Sequence, residues 1–125
     1  MNPKLTREQV EKMVTSAYPK RPNLTGADLS GLDLSDVNLM GADLAGANLR
    51  GTNLTGAMLG GADLRQANLC GASLAGAGLV KADLRGADLS EADLSEASLR
   101  SAKYNGSTRW PAGFEPASVG AIRED

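Results

Sequence analysis

From Leu24 to Leu99 every fifth residue of the chain is Leu, and Tyr104 stands in the next position of the series. Two places before each sits a small residue, usually Ala, from Ala27 through Ala42, Ala47, Ala57 and Ala62 to Ala102; Leu32, Val37 and Thr52 are exceptions. Asp or Asn commonly separates the two apolar positions. The unit is therefore Ala-(Asp/Asn)-Leu-x-x, repeated 17 times between Pro22 and Gly106.

A period of five suits neither ordinary element. On an α-helix five residues turn through about 500°, so successive Leu drift around the cylinder. On a strand they alternate between faces. The whole series is buried only if each unit is a short extended piece followed by a bend, so that Ala and Leu point inward at every repeat and the chain coils around its own Leu. The second position after Leu is Gly at Gly26, Gly31, Gly41, Gly46, Gly51, Gly56, Gly61, Gly71, Gly76 and Gly86, where a tight bend needs a permissive backbone.

This motif resembles that of the pentapeptide-repeat family, and among its members the small stand-alone cyanobacterial proteins. The resemblance covers residues 22–106. It implies an all-β solenoid, a right-handed quadrilateral β-helix. With four units per coil, 17 units make a little over four coils, and a strand spacing of roughly 4.8 Å gives a stack about 20 Å tall. Each buried Leu contributes on the order of 2 kcal/mol.

Such a stack needs lids, because its terminal Leu layers and strand edges are otherwise open. Residues 1–21 read as an N-terminal helical cap. Thr6 and Gln9 have the spacing of a capping box, Leu5 is placed to staple against Val10, and the helix starts at Arg7. Val10, Met13, Val14 and Ala17 share one face, and Pro19 and Pro22 end the element. Residues 107–125 read as a C-terminal cap. The period ends after Gly106, and Tyr104, Trp110 and Phe114 gather there in a chain with only 3% aromatic residues; each ring covers a large area. Ala117 to Ile122 are expected to add a short helical turn.

Composition narrows the function. The chain has 125 residues, which suits one domain, and a 42% hydrophobic content carried mainly by Leu and Ala, which suits a narrow regular core. A net charge of −2 nominates neither a nucleic acid nor an anionic membrane as partner. His is absent and Cys70 is the single cysteine, which excludes disulfide frameworks, His-based catalysis and Cys/His metal sites within one chain. A reduced thiol, an amino terminus without an apolar leader segment and no window of membrane-spanning length lead to the expectation of a cytoplasmic protein.

Asp28, Asp33, Asp43, Asp63, Asp83, Asp88 and Asp93 all precede a Leu of the repeat, a slot they share with Asn23, Asn38, Asn48, Asn53 and Asn68. That exchange fits a hydrogen-bonding role rather than proton transfer. The regularly spaced Gly residues are not followed by a Gly-Lys-Ser/Thr ending, and no EF-hand pattern is present. No catalytic residue, cofactor site or metal site is expected, and the chain is not expected to be an enzyme.

Wrapping the sequence at 20 residues per coil stacks Asp43, Asp63 and Asp83, with Arg65 and Arg85 placed to offset their repulsion. The face of Leu39, Leu59 and Leu79 differs, because Met40, Met58, Gly60, Gly78 and Val80 replace polar residues. Met40, Met58 and Val80 are the candidate interaction surface. The expected function is a non-catalytic interaction scaffold, monomeric or weakly homodimeric, whose partner is a protein rather than nucleic acid or membrane. The family resemblance adds two alternatives: a DNA mimic acting on a type II topoisomerase, and a regulator of cell differentiation acting through a protein. Ten acidic and six basic side chains between residues 22 and 106, a net charge of only −4, speak against a DNA mimic.

Overall fold

The computed structural model describes residues 3–18 and 20–125. Along the repeats, the residue before each Leu forms a parallel bridge with the residue twenty places on. The first face stacks Asn23, Asp43, Asp63, Asp83 and Lys103; the second stacks Asp28, Asn48, Asn68 and Asp88. The third stacks Asp33, Asn53, Ser73 and Asp93, and the fourth Asn38, Met58, Gly78 and Ser98. One coil is four units long and has four sides.

The hydrogen bonds repeat with the sequence. On the first face Leu44 N–H donates to the Asp63 carbonyl at 2.8 Å, and Asp63 N–H donates to the Ala42 carbonyl at 2.9 Å. Around the corner Ala47 N–H donates to the Leu44 carbonyl at 3.0 Å. Main-chain groups beside the interior are thus paired either to the next coil or across a turn, as a dry core requires. The core is a stack of layers, each holding four Leu, one from each face, with the small residues, mostly Ala, two places before them. Thr52, buried in an Ala slot, donates its hydroxyl to the Leu29 carbonyl at 2.8 Å.

The second residue after each Leu has φ between 59° and 73°. Gly46 takes this conformation with nothing near its missing Cβ. Asp36, Gln66, Lys81, Glu91, Glu96 and Ser101 take it with side chains present, at about 1–2 kcal/mol each. Three of these six lie in the last full coil.

At the N-terminal end, helix α1 spans Arg7–Ala17. Thr6 Oγ1 accepts from Gln9 N–H at 3.2 Å, and Gln9 Oε1 accepts from Thr6 N–H at 2.8 Å. Val10 is buried, and Leu5, Met13 and Val14 pack against the Leu column. The residues before the helix also extend the solenoid, since Lys4 pairs with Asp28 and Leu5 N–H donates to the Asp28 carbonyl at 3.0 Å. Arg7 serves the third face, donating to the carbonyls of Asp33 at 3.0 Å and Ser35 at 3.1 Å. Its guanidinium stands where a further coil would have supplied N–H donors. Pro19, expected to end the helix, lies outside the described residues.

At the other end the repeat outlasts Gly106, because the apparent loss of period is a one-residue insertion. Arg109 pairs with Asp88, 21 residues earlier. Leu89 N–H donates to the Arg109 carbonyl at 2.7 Å, and Arg109 N–H to the Ala87 carbonyl at 2.9 Å. Thr108 therefore fills an Ala slot and Trp110 a Leu slot. The Thr108 hydroxyl donates to the Leu84 carbonyl at 2.9 Å, the bond Thr52 makes, displaced by one residue. Asn105 accommodates the insertion: its Oδ1 accepts from Gly86 N–H at 3.1 Å. In the corresponding corner above, Gly46 N–H donates instead to the main-chain carbonyl of Arg65 at 2.9 Å.

Beyond Trp110 a 3-10 turn at Pro116–Val119 leads back to the first face, where strand β1, Lys103–Tyr104, pairs in parallel with β2, Ile122–Arg123. Trp110 stacks on Phe114 with ring centroids 5.1 Å apart and meets Tyr104 edge-on at 5.6 Å. Trp110 and Phe114 pack against the core.

Two substitutions at one turn position measure its strain. Gly46→Ala is expected to destabilise by about 1–2 kcal/mol, and Lys81→Gly to stabilise by up to about 1 kcal/mol, part of the gain being offset by the freedom Gly adds to the unfolded chain. Urea unfolding compares them, and a destabilised Lys81→Gly would contradict the argument. Asn105→Ala removes the nearer of the two acceptors of the Gly86 N–H, leaving it the longer bond to Thr108 Oγ1 at 3.3 Å, and is expected to destabilise by about 0.5–1.5 kcal/mol in the same assay. A neutral result would mean that Thr108 alone holds the corner.

Candidate interaction surface

The slot before Leu builds the corners. Asp28 Oδ1 accepts from Ser30 N–H at 3.1 Å, Asn48 Oδ1 from Arg50 N–H at 3.1 Å, and Asn68 Oδ1 from Cys70 N–H at 3.0 Å. Asp and Asn do this equally well, which is why they interchange along the repeats. The carboxylates are thereby committed to turns. Among the described residues no group of three or more His, Cys, Asp or Glu is placed to hold a metal ion.

On the first face Arg65 holds Asp63 with two bonds, at 2.9 and 2.7 Å, and Arg85 holds Asp83 at the same two distances. Arg65 also lies 3.9 Å from Asp83, linking adjacent coils. These hydrogen bonds hold both carboxyls below the usual range and raise the guanidinium pKa values. A shallow groove of about 500 Å³ runs beside them, lined by Ala45, Arg65, Gln66, Arg85, Gly86, Asn105 and Ser107. Its two cations are already neutralised, and it gathers no nucleophile beside a base. Cys70 is a half-exposed free thiol at another corner.

The fourth face breaks the pattern. Met58 and Gly78 occupy the slot before Leu and carry no acceptor oxygen, so the N–H groups of Gly60 and Val80 lack the bond that Asn38 Oδ1 gives Met40 N–H at 3.1 Å. Exposure reaches 57% at Met40, 42% at Met58 and 38% at Val80. The structure therefore brings the three candidate residues to one side of the molecule, Met58 in the column of Asn38 and Gly78, and Met40 and Val80 at its corner. A Cβ added to Gly78 would meet nothing within 4 Å, whereas one added to Gly60 would lie 3.8 Å from the Met40 methyl.

A stack of five-residue units around a Leu column, with an apolar strip on one side, defines a solenoid repeat protein. The family model "Pentapeptide repeats (8 copies)" matches residues 23–56, 47–85 and 77–107, and the chain belongs to the pentapeptide-repeat family. It is similar to alr5209, a pentapeptide repeat protein from Nostoc PCC 7120, at 32% identity over 99% of this chain and 100% of that one, with a TM-score of 0.74. It is also similar to the pentapeptide repeat protein Rfr23 from the cyanobacterium Cyanothece 51142, at 43% identity over 72% of this chain, with a TM-score of 0.71. In the second comparison the match spans only 61% of the relative's length. No curated protein matches the sequence.

The corner bonds make stability depend on acid. Ser30, Ser35, Ser90 and Ser95, through hydroxyl and then backbone N–H, hold Asp28, Asp33, Asp88 and Asp93 below the usual carboxylate range. A folded-state pKa below the unfolded value of about 3.9 stabilises the fold above that pH, and the stabilisation is lost as pH falls through the folded value. Thermal stability is thus expected to be level from neutrality to about pH 5 and to fall below about pH 4. Combining Asp28→Asn, Asp33→Asn and Asp93→Asn keeps the acceptors and removes the titration. Its acid decline should be shallower, and its stability at pH 7 lower by about what the three ionised carboxylates contribute there, including the Arg7–Asp33 pair; an acid limb as steep as wild type would locate the effect elsewhere.

Proposed function

We propose that the protein is a non-catalytic interaction scaffold, a right-handed four-sided solenoid whose fourth face presents Met40, Met58 and Val80 to a protein partner. The supporting observation is that Met58 and Gly78 put neither a corner acceptor nor a polar group in two adjacent coils of that one face, whereas Ser73 and Ser98, which also leave the corner bond unmade, keep a polar surface. Each such bond is worth about 0.5–1.5 kcal/mol, and glycine within a strand, as at Gly78, costs roughly 0.5–1 kcal/mol more. Nothing inside the fold compensates, since Met58 and Val80 point away from the core. A surface that gives up stability for a flat apolar strip is explained by what it touches.

The alternative of a DNA mimic is less well supported, because the repeats carry a net charge of only −4 and acidic residues of the first face are paired with Arg65 and Arg85.

The test is affinity capture from a cyanobacterial lysate, with wild type beside a Met58→Glu, Val80→Glu double variant matched for folding by circular dichroism. Wild type is expected to retain a protein that the variant loses by at least about tenfold, as burying two carboxylates against an apolar partner requires. Equal recovery by both proteins would remove the fourth face from the function.

A further inference from the structure

Four outward positions midway along the stack, two in the column of the fourth face and two at its corner, form a two-by-two board of large and absent side chains. One coil carries Met58 and then Gly60; the next carries Gly78 beneath Met58 and Val80 beneath Gly60. The large residues lie on one diagonal and the glycines on the other. The squares are about 4.8 Å apart between coils and about 6.6 Å apart along the chain.

A two-fold axis lying in this face, perpendicular to the stack and midway between the two coils, exchanges the coils while keeping each column. It sets Met58 over Gly78 of a second molecule and Val80 over Gly60, twice each by symmetry. Knobs then meet glycines at all four squares, the Gly78 squares open and the Gly60 squares bordered by the Met40 methyl of the same chain, 3.8 Å from the missing Cβ. The Gly78 hollow has no atom within 4 Å of its missing Cβ, so it is open to receive a thioether. The same axis overlays all four coils of one face on the four of the other. The geometry points to a second copy of this chain, antiparallel and face to face, as the occupant of the strip. This inference rests on the interaction-surface reading above and supplies its partner.

The charged rim and the area set the strength. Under this axis Asp36 faces Glu96 of the second molecule at both edges, a like-charge pairing of exposed carboxylates. A face about 20 Å by about 12 Å buries on the order of 250 Å² per partner, against about 800 Å² in a standard stable interface. The dimer is therefore weak, dissociating in the high micromolar to millimolar range, and it tightens when salt screens the rim.

Sedimentation velocity up to about 1 mM tests the pairing with variants of unchanged composition. Met58→Gly with Gly78→Met puts both knobs on one coil, where the axis still sets each over a hollow; its dissociation constant should stay within about threefold of wild type. Met58→Gly with Gly60→Met puts both knobs in one column, where the axis sets the introduced thioether against Val80 of the second copy; association should weaken by at least about tenfold. Neither Gly60 nor Gly78 has positive φ, and a Cβ at either meets no contact under 3.6 Å, so both positions accept a side chain. Glu96→Lys should tighten the dimer by pairing with Asp36.

A wild type that stays monomeric at about 1 mM, or the two rearranged variants associating equally, would overturn the inference. A wild type that captures a different protein through the strip while remaining monomeric would overturn it too, and would leave the scaffold reading intact. Loss of both self-association and capture would remove the two together.

Discussion

In a coil whose interior holds a single layer of four Leu and the small residues beside them, the backbone N–H and C=O groups flanking each Leu lie against an apolar interior and must find a partner. The lateral ladder between coils answers that constraint, and the remaining features are conditions for keeping it in register. Five residues per side and four sides per coil return each strand beneath its predecessor, so Asp43 meets Asp63 and Asn48 meets Asn68. Leu and Ala repeat because the space they fill repeats. A side chain of another size in a Leu slot must be matched by its neighbours in the same and adjacent layers, and the chain places its larger rings, Tyr104, Trp110 and Phe114, where the stack ends.

The two ends meet the same constraint by different means. At the first coil no earlier strand exists, and the edge is covered piecemeal: Lys4 and Leu5 supply a short strand to the second face and Arg7 supplies donors to the third. At the last coil the chain inserts one residue, shifts the ladder and crosses back to the first face with Trp110 and Phe114 against the core. Glu91, Asp93, Glu96 and Arg100 line this end, and exposed charge of that kind discourages edge-to-edge association. The left-handed side chains Glu91, Glu96 and Ser101 belong to the same coil. Strain accumulates where there are fewest neighbours to reject it.

The repeat unit and the family were legible because seventeen copies of one spacing admit a single kind of packing. The polar slot was legible because Asp and Asn alternate in it, a substitution pattern that hydrogen bonding tolerates. The inserted residue near Asn105 was not, since a one-residue slip destroys periodicity in a linear reading while disturbing the three-dimensional ladder very little. Thr108 carried a signal: Thr52 already marked the Ala slot as able to hold a buried hydroxyl, and the two bond equivalent carbonyls. The role of Arg7 could not be read, because nothing in a lone Arg at a helix start identifies carbonyls more than twenty residues away. The candidate surface was visible as departures from the motif at Met40, Met58 and Val80, but what those departures give up is a corner bond that forms only in the folded coil.

That loss bears on how a repeat protein acquires function. When every unit is held by the same bonds, a substitution in an outward slot changes local stability by about 1 kcal/mol and leaves the ladder intact. The scaffold can therefore carry a small number of departures, and their position on the lattice is fixed by the fold to within a side chain. Two coils of one face suffice to write a pattern of knobs and hollows, because the columns are set by the backbone and need no further packing to hold them. Shape specificity then costs little beyond the corner bonds removed, and the remaining three faces stay free to keep the molecule folded and apart from its neighbours.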